Sequence, residues 1–378
     1  MMSDSLSGPV VAIAANDAWN VINYRSGLIR ALQAGGYRVL VLAPAGRHEA
    51  AIRDLGVDFR AVAMAPRGKS PVGDLRTLAA YALQLRAARP AALLGFTAKP
   101  NIYGSLAARA LGIPVINNIS GLGAVFGGEG VLNRLVSGLY RVALRRSAKV
   151  FFQNRDDRAL FEARGIVRHG QVGLLPGSGV NLEHFARRPS KGRAPFTFLF
   201  AGRLLWDKGV AEYVEAARRI ASTDTRFRIL GIVEPESAAA VPASLLREWS
   251  EEGIADYLGS ASDVRDAFAE ADCVVLPSYY REGTPRVLLE ASAMGIPVIT
   301  TDAPGCREAV DNGLTGLLCT PRSVDSLVSV MKQMLELPTA KRNRMGAAAR
   351  AKMEREYREE IVHRAYLDAL AELGIRGA

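Results

Sequence analysis

Short runs of apolar, mostly β-branched residues alternate with helix-patterned stretches along this chain, and then the same alternation starts again. The first series is Val10 to Ala15, Arg38 to Ala43, Asp58 to Met64, Ala92 to Phe96, Pro114 to Ile119, Val150 to Gln153 and Gln171 to Leu175. The second is Phe196 to Ala201, Arg228 to Ile232, Asp272 to Pro277, Pro297 to Thr301 and Gly316 to Cys319. Strands that are apolar on both faces belong in parallel sheets covered by helices, and a strand–helix rhythm predicts βαβ units. The fold class is therefore α/β, with two doubly wound parallel-sheet domains. A length of 378 residues agrees, since it exceeds what one core usually serves. Between the two series, Pro176 to Phe185 and then Arg187 to Gly192 are rich in turn residues and charge, as a linker should be. The expected division is a first domain over 1–185, a second over 186–360 and a terminal helix over 361–378.

In open α/β sheets ligands bind beyond the carboxyl ends of strands, so two facing domains are expected to form a cleft lined by loops from both. The sharpest motifs follow strands. The segment Ser278 to Cys319, SYYREGTPRVLLEASAMGIPVITTDAPGCREAVDNGLTGLLC, carries Glu282 and Glu290 eight positions apart across a loop-to-helix junction. Thr284 and Pro285 would open the helix, with Pro suited to its first turn, and Glu290 would lie two turns in. A helix N-terminus attracts negative charge, so a phosphorylated ligand fits there while a carboxylate on each side grips hydroxyls. The plainer alternative has Glu282 decorating the first turn and Glu290 pairing with a surface arginine. Neighbouring elements decide against it.

Those elements are Phe200-Ala-Gly202-Arg203-Leu-Leu-Trp-Asp-Lys208-Gly209 and Leu258-Gly-Ser-Ala-Ser-Asp263-Val264. With the two glutamates they resemble, in order, the signature of the family 4 retaining glycosyltransferases: a Gly-Arg…Lys-Gly element, a base-contacting loop and Glu-x7-Glu. The resemblance implies the GT-B fold, two facing Rossmann-like domains with an interdomain cleft and a last helix that crosses back to the first domain. It implies that Glu282 contacts donor-sugar hydroxyls and supports positive charge at the anomeric carbon, while Glu290 holds the ribose. Gly283 and Thr284 would add main-chain contacts beside Pro285, and Gly202, Arg203, Lys208 and Asp263 complete the donor site. Glu282, Arg203 and Lys208 are the catalytic expectation. A diphosphate leaving group gathers negative charge as the glycosidic bond breaks, and two fixed cations stabilise it without a metal. No Asp-x-Asp pair occurs in the chain, so no metal and no cofactor beyond the nucleotide-sugar substrate is expected.

In the first series, Gly95-Phe-Thr97-Ala-Lys99-Pro-Asn-Ile-Tyr-Gly104 and Ile113-Pro-Val-Ile-Asn117-Asn118-Ile-Ser120-Gly121-Leu-Gly123 leave strand ends. They resemble bacterial transferases that extend undecaprenyl-diphosphate-linked oligosaccharides, including N-acetylgalactosaminyltransferases of protein glycosylation and O-antigen or capsule synthesis. Thr97, Lys99, Asn118, Ser120 and Gly121 are accordingly acceptor candidates, with Lys99 either on the acceptor diphosphate or simply solvated. Many members have His before Gly where this chain has Ser120-Gly121, so no His role transfers. The loop expected over Asn16 to Gly27 lacks the family's Gly-Gly pair and offers Asn20, Asn23, Tyr24 and Arg25 for acceptor recognition, Arg25 alternatively capping local structure.

Charge separates the halves. Residues 1–185 hold 22 Lys and Arg against 11 Asp and Glu, whereas 186–378 hold 26 against 27. A basic half suits an anionic membrane surface, a polyanionic substrate or nucleic acid. Within Val131 to Arg146, apolar residues at 132, 135, 136, 139, 142 and 143 form a helical stripe with arginines mostly off it. Such a helix either lies on a membrane or packs its stripe into the core. Nothing approaches the roughly 18 apolar residues of a membrane span, the start Met1-Met-Ser-Asp-Ser lacks a leader pattern, and three separated cysteines give no disulfide or zinc framework. The expectation is a cytoplasmic protein, peripheral on the inner membrane face. It would move a hexosyl or N-acetylhexosaminyl group from a UDP-sugar to a polyprenyl-diphosphate-linked sugar. The alternatives are a transferase for a soluble acceptor and a nucleic-acid binder. The latter lacks a recognition helix, stacking aromatics or zinc spacing, so no nucleic-acid partner is expected.

Overall fold

The structure, a computed structural model, describes residues 8–65, 70–123, 126, 130–187 and 195–378. The expected linker residues Arg188, Pro189, Lys191 and Gly192 and the N-terminal Met1 to Ser5 lie outside them. Among the described residues two parallel sheets form, one of seven strands and one of six. The first has the order β3-β2-β1-β4-β5-β6-β7, with β1 Val10–Ala14, β2 Arg38–Ala43, β3 Asp58–Ala61, β4 Ala92–Phe96, β5 Val115–Ile119, β6 Lys149–Phe152 and β7 Val172–Leu174. The second has the order β10-β9-β8-β11-β12-β13, with β8 Phe196–Ala201, β9 Thr225–Leu230, β10 Asp256–Tyr257, β11 Cys273–Leu276, β12 Val298–Thr301 and β13 Gly316–Cys319. In both sheets the order reverses beside the first strand, between β1 and β4 and between β8 and β11. Ligands of doubly wound sheets bind at that reversal.

The chain divides into two compact units, Met1–Ser178 with Glu359–Ala378, and Gly179–Arg358. Val180 and Phe185 are buried in the core of the second unit, which is why its boundary precedes 185. Burial explains the apolar runs. Along β1, Val11 and Ile13 join one hydrophobic cluster of the first unit while Ala12 and Ala14 join another, so each sheet face is covered. The helix Glu359–Glu372 contributes Val362, Tyr366, Ala369 and Leu370 to the first of these clusters. Tyr366 packs against Phe96 and Phe151 at ring centroid separations of 5.7 and 5.2 Å.

The helix Val131–Leu144 packs Tyr140, Ala143 and Leu144 into a core cluster of the first unit but also buries polar residues. Its buried residues include Asn133, Ser137 and Tyr140, and Arg164 Nη1 donates to Asn133 Oδ1 at 2.6 Å and to Ser137 Oγ at 3.2 Å. The apolar stripe is divided: Ala143 is buried and Val136 and Leu139 pack against the same cluster, whereas Leu132, Leu135 and Val142, with Val131 beside them, are exposed by 43, 59, 52 and 79 %. No described helix is long and apolar enough to cross a membrane.

Candidate functional site

The two loops that leave β8 and β11 flank the strand-order reversal of the second sheet, and they are tied together through main chain. Gly202 ends β8 at φ 149°, a conformation open to glycine, and a Cβ on Gly231 would lie 1.8 Å from its carbonyl oxygen. After a short turn, Trp206–Lys208, the chain enters the helix Val210–Ile220 through Gly209 at φ 80°. A Cβ there would lie 2.2 Å from the carbonyl oxygen of Pro277, so the close approach of the two loops requires glycine. The Asp207 carbonyl accepts from the N–H groups of both Tyr279 and Tyr280 at 3.0 Å. Gly305, at φ 85°, packs against the opposite side, where a Cβ would meet the Gly283 carbonyl oxygen at 2.1 Å.

This brace brings Lys208 and Glu282 into a buried ion pair, Nζ to Oε1, although they are 74 residues apart. Both residues are over nine-tenths buried, and Ser278 Oγ donates to the same carboxylate oxygen at 3.1 Å. Arg203 is more open and faces Glu234, Nη1 to Oε2 3.6 Å. Asp207 shares the field of Lys208, Glu282 and Arg203, and burial raises its carboxyl above the ordinary range. The buried Cys306 thiol beside them is pushed up to about 12, which removes it as a nucleophile at neutral pH.

Pro285 caps the helix Arg286–Ala293, which puts Thr284 before the helix and Glu290 little more than one turn inside it, where two turns were expected. Glu290 pairs with Arg286 at 2.7 Å, as the plainer reading of the sequence had it, but off the surface. Burial dominates: it pushes the Glu290 carboxyl up to about 7 despite the arginine. Asp263 is near enough to Glu290 to add to that rise, and its own carboxylate is held down at about 2 by Arg265. The expected donor-side residues, Gly202, Arg203, Lys208, Asp263, Glu282, Gly283, Thr284, Pro285 and Glu290, therefore all belong to the second unit, on loops and one helix start. Tyr280, Asp207, Ser278 and Glu234 join them without having been singled out. Only their closeness in sequence to Glu282 and Lys208 could have signalled the first three.

Acceptor candidates fare differently. The stretch expected as a loop is mostly the helix Ala18–Ala34, because Asp17 caps it and Ala18, Val21, Leu28, Ile29 and Leu32 bury one face. Asp17 Oδ1 accepts the Asn20 N–H at 2.6 Å, and Asn23 Nδ2 donates to the Trp19 carbonyl at 2.9 Å. Arg25 is buried, its guanidinium 4.0 Å from the centre of the Phe96 ring. Lys99 is neither solvated nor open, since its Nζ lies 2.6 Å from Asp74 Oδ1. Asn118 is fully buried: its Nδ2 donates to Tyr366 Oη at 2.8 Å and its Oδ1 accepts from Gln153 at 3.1 Å. Arg25 and Asn118 are thus both held within the first unit by side-chain contacts. Thr97, at φ 66°, and Ser120 with Gly121, at φ 102°, remain half-buried at the ends of β4 and β5.

Residues 21–178 match the family described as Glycosyl transferase 4-like domain, and residues 182–352 match Glycosyl transferases group 1. The chain is 26 % identical to the N,N'-diacetylbacillosaminyl-diphospho-undecaprenol alpha-1,3-N-acetylgalactosaminyltransferase of Campylobacter jejuni, covering 92 % of this chain and 94 % of that one. It is 25 % identical to the UDP-Gal:alpha-D-GlcNAc-diphosphoundecaprenol alpha-1,3-galactosyltransferase of Escherichia coli, over 71 % of this chain and 73 % of that one. Among solved structures, Anabaena Alr3699/HepE in complex with UDP and glucose superposes with a TM-score of 0.80 at 18 % identity, over 96 % of this chain and all of the other.

Proposed function

Because this chain belongs to the glycosyltransferases and has their GT-B fold, we propose that it moves a hexosyl or N-acetylhexosaminyl group from a UDP-sugar to a polyprenyl-diphosphate-linked sugar, retaining the anomeric configuration. The observation that carries the donor half is the pairing of Lys208 with Glu282 on the loops where the second sheet reverses, and of Arg203 with Glu234, with the buried Glu290 on the helix that follows Glu282. Arg203 and Lys208 take the diphosphate, Glu290 the ribose and Glu282 the transferred sugar. As the bond from C1 to the leaving diphosphate oxygen breaks, Glu282 supports the positive charge on C1. The acceptor hydroxyl bonds to the same face and its proton passes to the departing phosphate oxygen, so neither a protein nucleophile nor a metal is required. The acceptor half rests on the two relatives matched over most of their length, both named for undecaprenyl-diphosphate acceptors.

A donor panel tests the reading: purified protein, lipid-linked acceptor, UDP- and GDP-sugars, EDTA throughout, and nucleoside diphosphate release as the signal. Lipid-dependent release of UDP from one donor supports it. Release that needs a metal, or that proceeds equally on soluble sugars, contradicts the corresponding part.

Two further outcomes follow. Ribose hydroxyls donate, so donor binding favours ionised Glu290, whose carboxyl titrates at about 7 in the free protein. Donor affinity is therefore expected to rise with pH, by up to about tenfold per unit below 7, and to level above it. A pH series of UDP titrations checks this, and Glu290→Gln should flatten the slope. The exposed apolar residues Val131, Leu132, Leu135 and Val142, with Arg134, Arg141, Arg145 and Arg146 among them, suit an anionic bilayer at the cytoplasmic face. Leu132→Asp with Leu135→Asp is expected to cost at least about tenfold in co-sedimentation with phosphatidylglycerol vesicles. Because both side chains are exposed, stability should move by no more than about 0.5 kcal/mol per site, read by denaturant unfolding.

A further inference from the structure

Two cations held close together repel one another, and a site that uses both needs something to fix them. Each already has a carboxylate partner, Glu234 for Arg203 and Glu282 for Lys208. One uncharged side chain touches both. The Arg203 guanidinium donates a hydrogen bond to the Tyr280 hydroxyl, and Lys208 Nζ lies 5.1 Å from the centre of the Tyr280 ring. Ring faces attract ammonium groups, and a phenol oxygen accepts from guanidinium, so a single tyrosine can hold both cations without neutralising either.

The backbone of Tyr280 is fixed just as closely. Its N–H donates to the Asp207 carbonyl at 3.0 Å, next to Lys208, and its carbonyl accepts the Glu282 N–H at 2.8 Å. Ser278 Oγ adds a contact to the Tyr280 N–H at 3.3 Å. The residue is thus tied by main chain to Glu282 and to Asp207, the neighbour of Lys208, and by side chain to both cations. It also has only two side-chain torsions to order.

We propose that Tyr280 is a positioning residue that sets Arg203 and Lys208 for the diphosphate of the donor. This rests on the donor-site reading given above. Tyr280 acts on the phosphate-binding cations and leaves the nucleoside end of the ligand untouched. That separates it from a residue that merely fills space, whose loss would weaken every part of the site.

The test is calorimetric titration with UDP, and with uridine as a competitor, on wild type, Arg203→Ala, Tyr280→Phe and Tyr280→Leu. Tyr280→Phe keeps the ring over Lys208 and loses the oxygen. It is expected to bind UDP about tenfold more weakly, the size of one hydrogen bond to a charged group, with uridine within about twofold of wild type. Tyr280→Leu, which also uncovers Lys208, should lose more UDP affinity and still spare uridine. In an Arg203→Lys background, which lacks the fork that reaches the phenol, Tyr280→Phe should cost less than about twofold. With the donor, KM should rise in Tyr280→Phe by more than kcat falls. UDP binding unchanged in Tyr280→Phe, or UDP and uridine weakened together, overturns the proposal while leaving the donor site standing. Failure of wild type to bind UDP, or full UDP affinity in Arg203→Ala, overturns the donor-site reading and this inference with it.

Discussion

Glutamine at position 282 is expected to bind UDP about tenfold more tightly than the wild-type protein and to turn over at least about a hundredfold more slowly. The two effects have opposite signs for one reason. In the ligand-free protein the Glu282 carboxylate neutralises Lys208, the cation assigned to the diphosphate, in a buried pair. Removing that charge frees the full field of Lys208 for the phosphates. At an effective dielectric near 20, two unit charges about 4 Å apart interact by about 4 kcal/mol, so recovering a third of that gives the tenfold change. The same substitution withdraws the negative charge assigned to C1 in the transition state, and a preorganised group of that kind is worth about 10²- to 10³-fold in kcat. Calorimetry with UDP and single-turnover kinetics separate the two. UDP binding weakened in Glu282→Gln, with kcat intact, would place Glu282 outside the chemistry.

Lys208→Met is the second large effect, and it appears in stability before activity. The substitution leaves Glu282 buried with Ser278 Oγ still donating to its Oε1 but without the cation. Breaking a buried pair by removing one partner costs about 3–5 kcal/mol, and the lower figure applies because both side chains keep an edge in solvent, 9 and 11 % exposed. Glu282→Gln alone should also destabilise the ligand-free protein, by stranding Lys208. Lys208→Met combined with Glu282→Gln strands no charge, so the double variant is expected to be more stable than the sum of its parts by more than about 1 kcal/mol. Urea denaturation of the four proteins closes this cycle. Additive losses would mean that the pair is too solvated to matter.

The parallel sheets were legible because both faces of each strand are buried, so the apolar runs stand out without long-range information. What escaped was short or polar-ended: β10 has two residues, Asp256 and Tyr257, and β9 begins at Thr225 rather than Arg228. On the donor side Arg203, Lys208 and Glu282 lie on the loops that leave β8 and β11, and the adjacency of those strands brings the loops together. On the acceptor side the deciding contacts are distant in sequence. Lys99 meets Asp74, 25 residues back, and Asn118 meets Tyr366, 248 residues on, and no local spacing reveals either. Asn and Arg in the stretch after β1 looked like loop composition, while the capping Asp17 and the buried apolar face made it helix. Periodicity located the stripe of Val131–Leu144 but not its division, with Val136, Leu139 and Ala143 on the core and Leu132, Leu135 and Val142 exposed while Arg164 satisfies the buried Asn133 and Ser137.

The most direct test of the central claim is the product itself. Wild-type protein and Glu282→Gln are each given a synthetic undecaprenyl-diphosphate-linked sugar and the donor chosen from the panel, with EDTA present, and the new linkage is read by NMR. The expected result is one sugar added to the lipid-linked acceptor with the anomeric configuration of the donor, and no detectable addition by Glu282→Gln over the same time. An inverted linkage, addition that persists without Glu282, or no addition to the lipid-linked acceptor would contradict the account.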